Sequence, residues 1–193
     1  MKKITNLLKP YNIFKSKLRI GDKNRSTREF DGGYIVTNYE LENSTALYTY
    51  GVGEDITADT EFYNLTSKPC YLYDHTIDGS VVRNSGLPLN YKNEGLGFTA
   101  QCGDFLNHYK ENGTEGEVVL KIDVEGAEYD YFSKVDLEDL ESKVVSLLIE
   151  FHHLDNPKAR EYFEIIMNKL DKYFVLHHVH ANNYGTISNN VPS

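Results

Sequence analysis

Apolar residues along the chain gather in short runs, separated by glycines, acids and asparagines. The densest is Val118-Val119-Leu120-Lys121-Ile122-Asp123-Val124-Glu125-Gly126-Ala127-Glu128, which turns acidic only at its end. Its lack of clean apolar/polar alternation predicts a strand covered on both faces, as in a parallel sheet, followed by a glycine turn and a helix at about 127–132. Similar runs at 46–50, 70–74, 95–102, 144–151 and 173–180 predict five more strands. Between them, Ile56, Phe62 and Leu65 mark one helix. Asp104 is placed to cap a second, through Phe105, Leu106 and Tyr109. Asn156-Pro157 opens a third, with Ala159, Tyr162, Phe163, Ile166 and Leu170 on one face. Residues 112–117 read as loop and 136–143 as a polar segment. Strands alternating with helices predict an α/β fold, a Rossmann-like, doubly wound and mostly parallel sheet. Ile4, Leu7 and Leu8 suit a short helix over 3–9 that Pro10 ends, so 1–17 reads as a helical extension and 18–193 as a single α/β domain.

Chemistry collects where such sheets bind ligands, beyond the carboxyl ends of the strands. Asp123, Glu125 and Glu128 surround Gly126 there. Gly51-Val52-Gly53 forms a turn between strand and helix, and Asp74 closes the next strand about 20 residues on, the spacing at which a carboxylate takes two ribose hydroxyls. That order predicts a nucleoside site. A nicotinamide site would share these features, but Ile56 stands where its third glycine belongs. Asp31-Gly32-Gly33-Tyr34 is a turn or a close approach to a ligand, the two readings being equally supported by the residues.

Glu150, His152 and His153 close the fifth predicted strand, beside the acids of the fourth. An imidazole titrates near 6.5, so a neutral His152 is the candidate general base, with Asp123 and Glu125 orienting it or binding an acceptor. His153, pointing the opposite way, is the alternative inward residue. Five of the seven histidines lie between 152 and 180. A divalent metal held by His152, His178 and His180 is therefore a competing enzyme reading, although strand histidines beside acids are more often hydrogen-bonded core or rim residues.

Composition narrows the partners. The 193 residues suit one domain, and a net charge of -9 argues against sequence-independent nucleic-acid binding. No run approaches the roughly 18 apolar residues of a membrane span. Two cysteines, Cys70 and Cys102, read as buried thiols in a reducing compartment, which points to the cytoplasm. Fifteen tyrosines and no tryptophan suit a sugar or cofactor cleft.

Lys121-Ile122-Asp123-Val124-Glu125-Gly126-Ala127-Glu128 resembles the signature of the FkbM-type branch of class I S-adenosylmethionine-dependent methyltransferases. Asp31-Gly32-Gly33-Tyr34, Tyr50-Gly51-Val52-Gly53, Glu150-Phe151-His152 and His180-Ala181-Asn182-Asn183 follow in compatible order, so the likeness covers residues 18 to 185. It implies O-methylation of a small polar hydroxyl acceptor, a sugar or glycan precursor, with S-adenosylmethionine as donor. Gly51 and Gly53 would border the methionine part of that donor, Asp74 its ribose and Asp104 its adenine. Many class I members carry an acid where this chain has Thr49, which leaves Glu54, Asp55 or Asp123 for the methionine amine. Asp31, Tyr34, Glu128, His180, Asn182 and Asn183 are the candidate acceptor contacts. Class I sheets usually finish with an antiparallel strand, for which residues 185–193 leave scarcely room. An edge left open in this way invites pairing with a second copy, and a methyltransferase-like fold kept as a non-catalytic binding module is the remaining alternative.

Overall fold

A computed structural model of the chain describes residues 17–20, 33–179, 187–188 and 191–192. Its centre is a five-stranded sheet built from β3 (Leu47–Tyr50), β4 (Cys70–Tyr73), β5 (Asn90–Lys92), β8 (Val118–Ile122) and β9 (Val144–Ile149). The spatial order is β5-β4-β3-β8-β9, and every pairing is parallel. The chain therefore starts in the middle, winds outward one way and returns to wind outward the other. The first and fourth strands of the sheet, β3 and β8, lie side by side, and every residue in both is buried. That is why their sequences are apolar without alternation. β9 has β8 as its one neighbour among the described residues, and its burial alternates as an edge allows.

Each face carries its own core. Tyr48, Tyr50, Leu120 and Ile122 face α4 (Phe105–Glu111), α5 (Glu128–Lys134), α6 (Leu137–Lys143) and α7 (Pro157–Leu170), through Phe105, Tyr131, Phe132, Leu140 and Ile166. Leu47, Leu72, Val119 and Leu148 face the opposite layer, made by Val36, Leu41, Phe62 and Val82. Those residues come from the antiparallel pair β1 (Lys17–Ile20) and β2 (Tyr34–Thr37), from α1 (Asn38–Asn43), α2 (Thr57–Thr66) and α3 (Ser80–Asn84). The expected doubly wound α/β fold is thus present. Among the described residues no helix is long and apolar enough to cross a membrane.

Two expected strands are placed differently. The third strand of the sheet is β5, not 95–102. Glycines at 95, 97 and 103 break that stretch into β6 (Gly95–Leu96) and β7 (Cys102–Gly103), which pair only with each other. The sixth expected strand, 173–180, has no regular structure through 174–179; its His177 lies 3.6 Å from Glu40 on α1 instead of extending the edge of β9. β10 (Ile187–Ser188) and β11 (Val191–Pro192) form a separate antiparallel pair. The polar segment 136–143 is helix α6, capped by Asp136, whose carboxylate accepts from the amides of Glu138 and Asp139. The helix expected over 3–9 lies outside the described residues.

A polar chain runs through the first core: the Tyr50 hydroxyl meets His108 Nδ1 at 2.8 Å, and His108 Nε2 meets Glu94 at 2.8 Å. Tyr73 stacks on the same imidazole at 4.1 Å. Beyond Tyr50 the backbone turns at Gly51, with φ +79, close against β8: a Cβ there would lie 1.5 Å from the carbonyl oxygen of Asp123. Gly53 also has positive φ, +58, but open space around it. Gly51→Ala should therefore destabilise the protein well beyond the left-handed strain of about 1–2 kcal/mol that Gly53→Ala carries alone. Denaturant unfolding of the two variants checks this, and equal losses would contradict the close approach of the two strand ends.

Candidate active site

The ends of β3 and β8 meet at the glycine turn, and β9 ends beside them. Asp123 follows β8 directly; its amide donates to the Tyr50 carbonyl at 2.9 Å and so stays in register with β3. Its side chain reaches three neighbours. Oδ2 accepts from the Tyr34 hydroxyl at 3.0 Å and from Lys121 Nζ at 3.3 Å, while Oδ1 faces His152 Nε2 at 3.5 Å. Glu125 Oε2 lies 3.7 Å from the same nitrogen, and its side chain is 83% exposed. Asp123, Glu125 and His152, expected together from sequence, are brought together. His153 turns away with φ +59 and places its ring edge against Gly126.

Glu128 holds this arrangement from beneath. Its side chain is wholly buried. Oε1 accepts from the His152 amide at 2.8 Å and lies 3.3 Å from His152 Nδ1, and Oε2 accepts from the Gly126 amide at 2.8 Å. A buried carboxylate needs such donors. Glu128, expected to touch an acceptor, is instead enclosed by its own turn and by the end of β9, so it acts through His152. The Tyr129 hydroxyl donates to the His152 carbonyl at 2.5 Å and fixes the same strand end.

Lys121 was not among the expected site residues. It is buried, with Nζ 3.4 Å from the Gly51 carbonyl and 4.9 Å from the centre of the Tyr34 ring, so it ties the glycine turn to Asp123. The sequence did hold a signal, since a lone lysine inside an apolar strand has to find a partner. Asp59, on α2 beneath it, accepts from the Thr49 hydroxyl at 2.5 Å. Burial pushes the Asp59 carboxyl up, against the opposing pull of Lys121 and of that hydroxyl.

The side chains expected to hold a nucleoside are largely engaged within the protein. Asp74 Oδ2 accepts from the amides of Val52 and Gly53, each at 2.9 Å, and Oδ1 from the amide and hydroxyl of Thr76, each at 2.7 Å. Burial raises the Asp74 carboxyl, but these donors outweigh it and hold the group below its usual range. Asp55 caps its own turn, accepting from the Thr57 amide at 2.8 Å. Asp104 stands at the start of α4 without making the expected cap bond; its Oδ1 takes the Tyr131 hydroxyl at 3.2 Å. Asp31, His180, Asn182 and Asn183 lie outside the described residues. His178 does not join the one group of metal-competent side chains found among the described residues, which is Asp123, Glu125 and His152.

The electrostatics bear on the expected base. Burial of the His152 ring disfavours its charge, yet the hydrogen bond and charge of Glu128, followed by the charges of Glu125 and Asp123, raise its pKa to about 9. Such a shift favours the protonated imidazole at neutral pH and argues against the ring as the proton acceptor. Because the folded value lies above the ordinary value of about 6.5, the stability that His152 supplies is fully present below pH 6.5 and fades as pH rises through about 9. NMR titration of the ligand-free protein should place the His152 midpoint near 9, and Glu125→Gln should lower it. A midpoint near 6.5 in the parent would restore the neutral ring.

The family model described as the methyltransferase FkbM domain matches residues 22–184. Neither the curated proteins nor the solved structures give a significant match.

Proposed function

The chain belongs to the methyltransferase FkbM domain family, and on that premise we propose that it moves a methyl group from S-adenosylmethionine to a hydroxyl of a small polar acceptor, a sugar or glycan precursor. The observation that carries the reading is the meeting of Asp123, Glu125, His152 and Tyr34 beside the Gly51–Gly53 turn. The donor fits the residues around that turn. Gly53 leaves open space above the backbone, and Asp74 lies under it at the end of the neighbouring strand. Of the donors on Asp74, the Thr76 hydroxyl can rotate away, which leaves Oδ1 able to accept a ribose hydroxyl. Acids near a cationic donor favour it, and the exposed Glu54 would meet its amine.

When bound, the donor supplies a methyl on a sulfonium, and displacement there requires alignment and a proton acceptor. Asp123 is the group for both. Lys121 and Tyr34 fix its Oδ2, so Oδ1 has a set direction toward the space shared with Glu125 and His152. The charged His152 orients the two carboxylates and takes no proton itself. Carboxylates, a tyrosine hydroxyl and an imidazolium in one cleft suit an acceptor with several hydroxyls, which supports a saccharide.

Calorimetry with S-adenosylmethionine and its demethylated product should give micromolar binding, and Asp74→Ala should weaken it at least tenfold, as loss of a charge-assisted hydrogen bond predicts. Unchanged affinity would remove Asp74 from the site. In single-turnover assays with labelled donor and a panel of sugar nucleotides, lipids, peptides and RNA, label should enter a sugar. Asp123→Asn should lose on the order of 10² to 10⁴ in rate with donor affinity kept. Label entering only peptide or RNA would overturn the acceptor class.

A further inference from the structure

Three side chains of the cluster stand within ion-pair range of one another but beyond hydrogen-bond length. His152 Nε2 stands 3.5 Å from Asp123 Oδ1 and 3.7 Å from Glu125 Oε2, with all three ligand atoms within 4.8 Å of one another. Good N–H···O bonds are shorter, at about 2.7–3.2 Å. Two donors each about 2.1 Å from a common ion stand roughly 3.0 to 3.5 Å apart in octahedral or tetrahedral arrangement, so a small closure brings this set to coordination distance.

The second ring nitrogen supplies an independent observation. His152 Nδ1 faces Glu128, a carboxylate with no exposed surface, which also holds the His152 backbone amide. A buried carboxylate on one imidazole nitrogen turns the other outward as a ligand; such outer partners orient metal-bound histidines. Here the outward nitrogen points at two carboxylate oxygens, and an ion bound between them would take the place of the Nε2 proton, which is released to solvent.

We propose that Asp123 Oδ1, Glu125 Oε2 and His152 Nε2 form a binding site for one divalent cation, with Glu128 as the positioning residue. Two carboxylate oxygens and one imidazole suit an ion between the hard and borderline classes, for which Mn²⁺ is the fitting probe. Three protein ligands leave coordination positions open. On the methyl-transfer reading, those positions are where two hydroxyls of the acceptor would be held beside the donor; with the ion bound, Asp123 Oδ1 would align the acceptor through it, and the ion-bound hydroxyl, made more acidic, would lose its proton to solvent. The binding itself does not depend on that reading.

The test is titration of the chelator-stripped full chain with Mn²⁺, following the loss of the free-ion EPR signal, alongside separate calorimetry with S-adenosylmethionine. One Mn²⁺ per chain is expected. Glu125→Gln, at an exposed position where folding is not at stake, should weaken it at least tenfold, and His152→Ala should abolish it. Glu128→Gln should weaken it about 10- to 100-fold, while Glu138→Gln on α6 leaves it unchanged. No binding up to millimolar Mn²⁺, or binding that Glu125→Gln and His152→Ala both leave intact, would overturn the site. Donor binding without Mn²⁺ binding would sink the cation alone; Mn²⁺ binding without donor binding would sink the methyl-transfer reading alone.

Discussion

A carboxylate buried away from solvent needs donors on its oxygens, and Glu128 is such a group. Its two oxygens collect the Gly126 amide from the turn after β8, and the amide and ring of His152 from the end of β9. Removing it would leave buried donors without acceptors on two strand ends at once. The position of Asp123 and Glu125 relative to His152 follows from that one group. The turn it ties is itself strained: Glu125 has φ +53 and His153 φ +59, a region side chains seldom occupy. Such strain persists where surrounding contacts over-determine it, as they do at this corner.

Charge balance then sets the chemistry. Asp123, Glu125 and Glu128 converge within a few ångströms, and the protein answers with two positive groups from different strands, Lys121 and His152. Lys121 serves the side toward β3, bridging Asp123 and the Gly51 carbonyl, and His152 serves the side toward β9. The acids around the ring favour its protonated form. The same negative charge favours a positively charged ligand beside the cluster.

The sheet shows how far pattern alone reaches. The strands expected at 46–50, 70–74, 144–151 and in the run that opens at Val118 were legible because burial on both faces demands continuous apolar runs, and the structure has β3, β4, β9 and β8 there, with β9 ending at Ile149. Short β5 was not, because Asn90-Tyr91-Lys92 at the outer edge buries little and carries no such run. The apolar stretch at 173–180 read as a strand, yet among its described residues Val175, Leu176 and Val179 are exposed and His177 is drawn to Glu40. Apolar composition supplies a capacity for pairing; the pairing itself depends on where the preceding helix delivers the chain.

The sequence by itself determined the alternation of strands and helices, the glycine turn with its downstream acid, and the acidic end of the central strand, since each is a local matter of periodicity, turn chemistry or spacing. The family signature lies in that same local segment. The tertiary structure decided which of those acids face one another. Tyr34 reaches Asp123 across 89 positions, Glu128 turns inward to His152 across 24, and Lys121 spans 70 to the Gly51 carbonyl. It also decided the charge on His152, because that charge is set by three carboxylates from another strand end and by burial, neither of which is a property of the residues around position 152 in the chain.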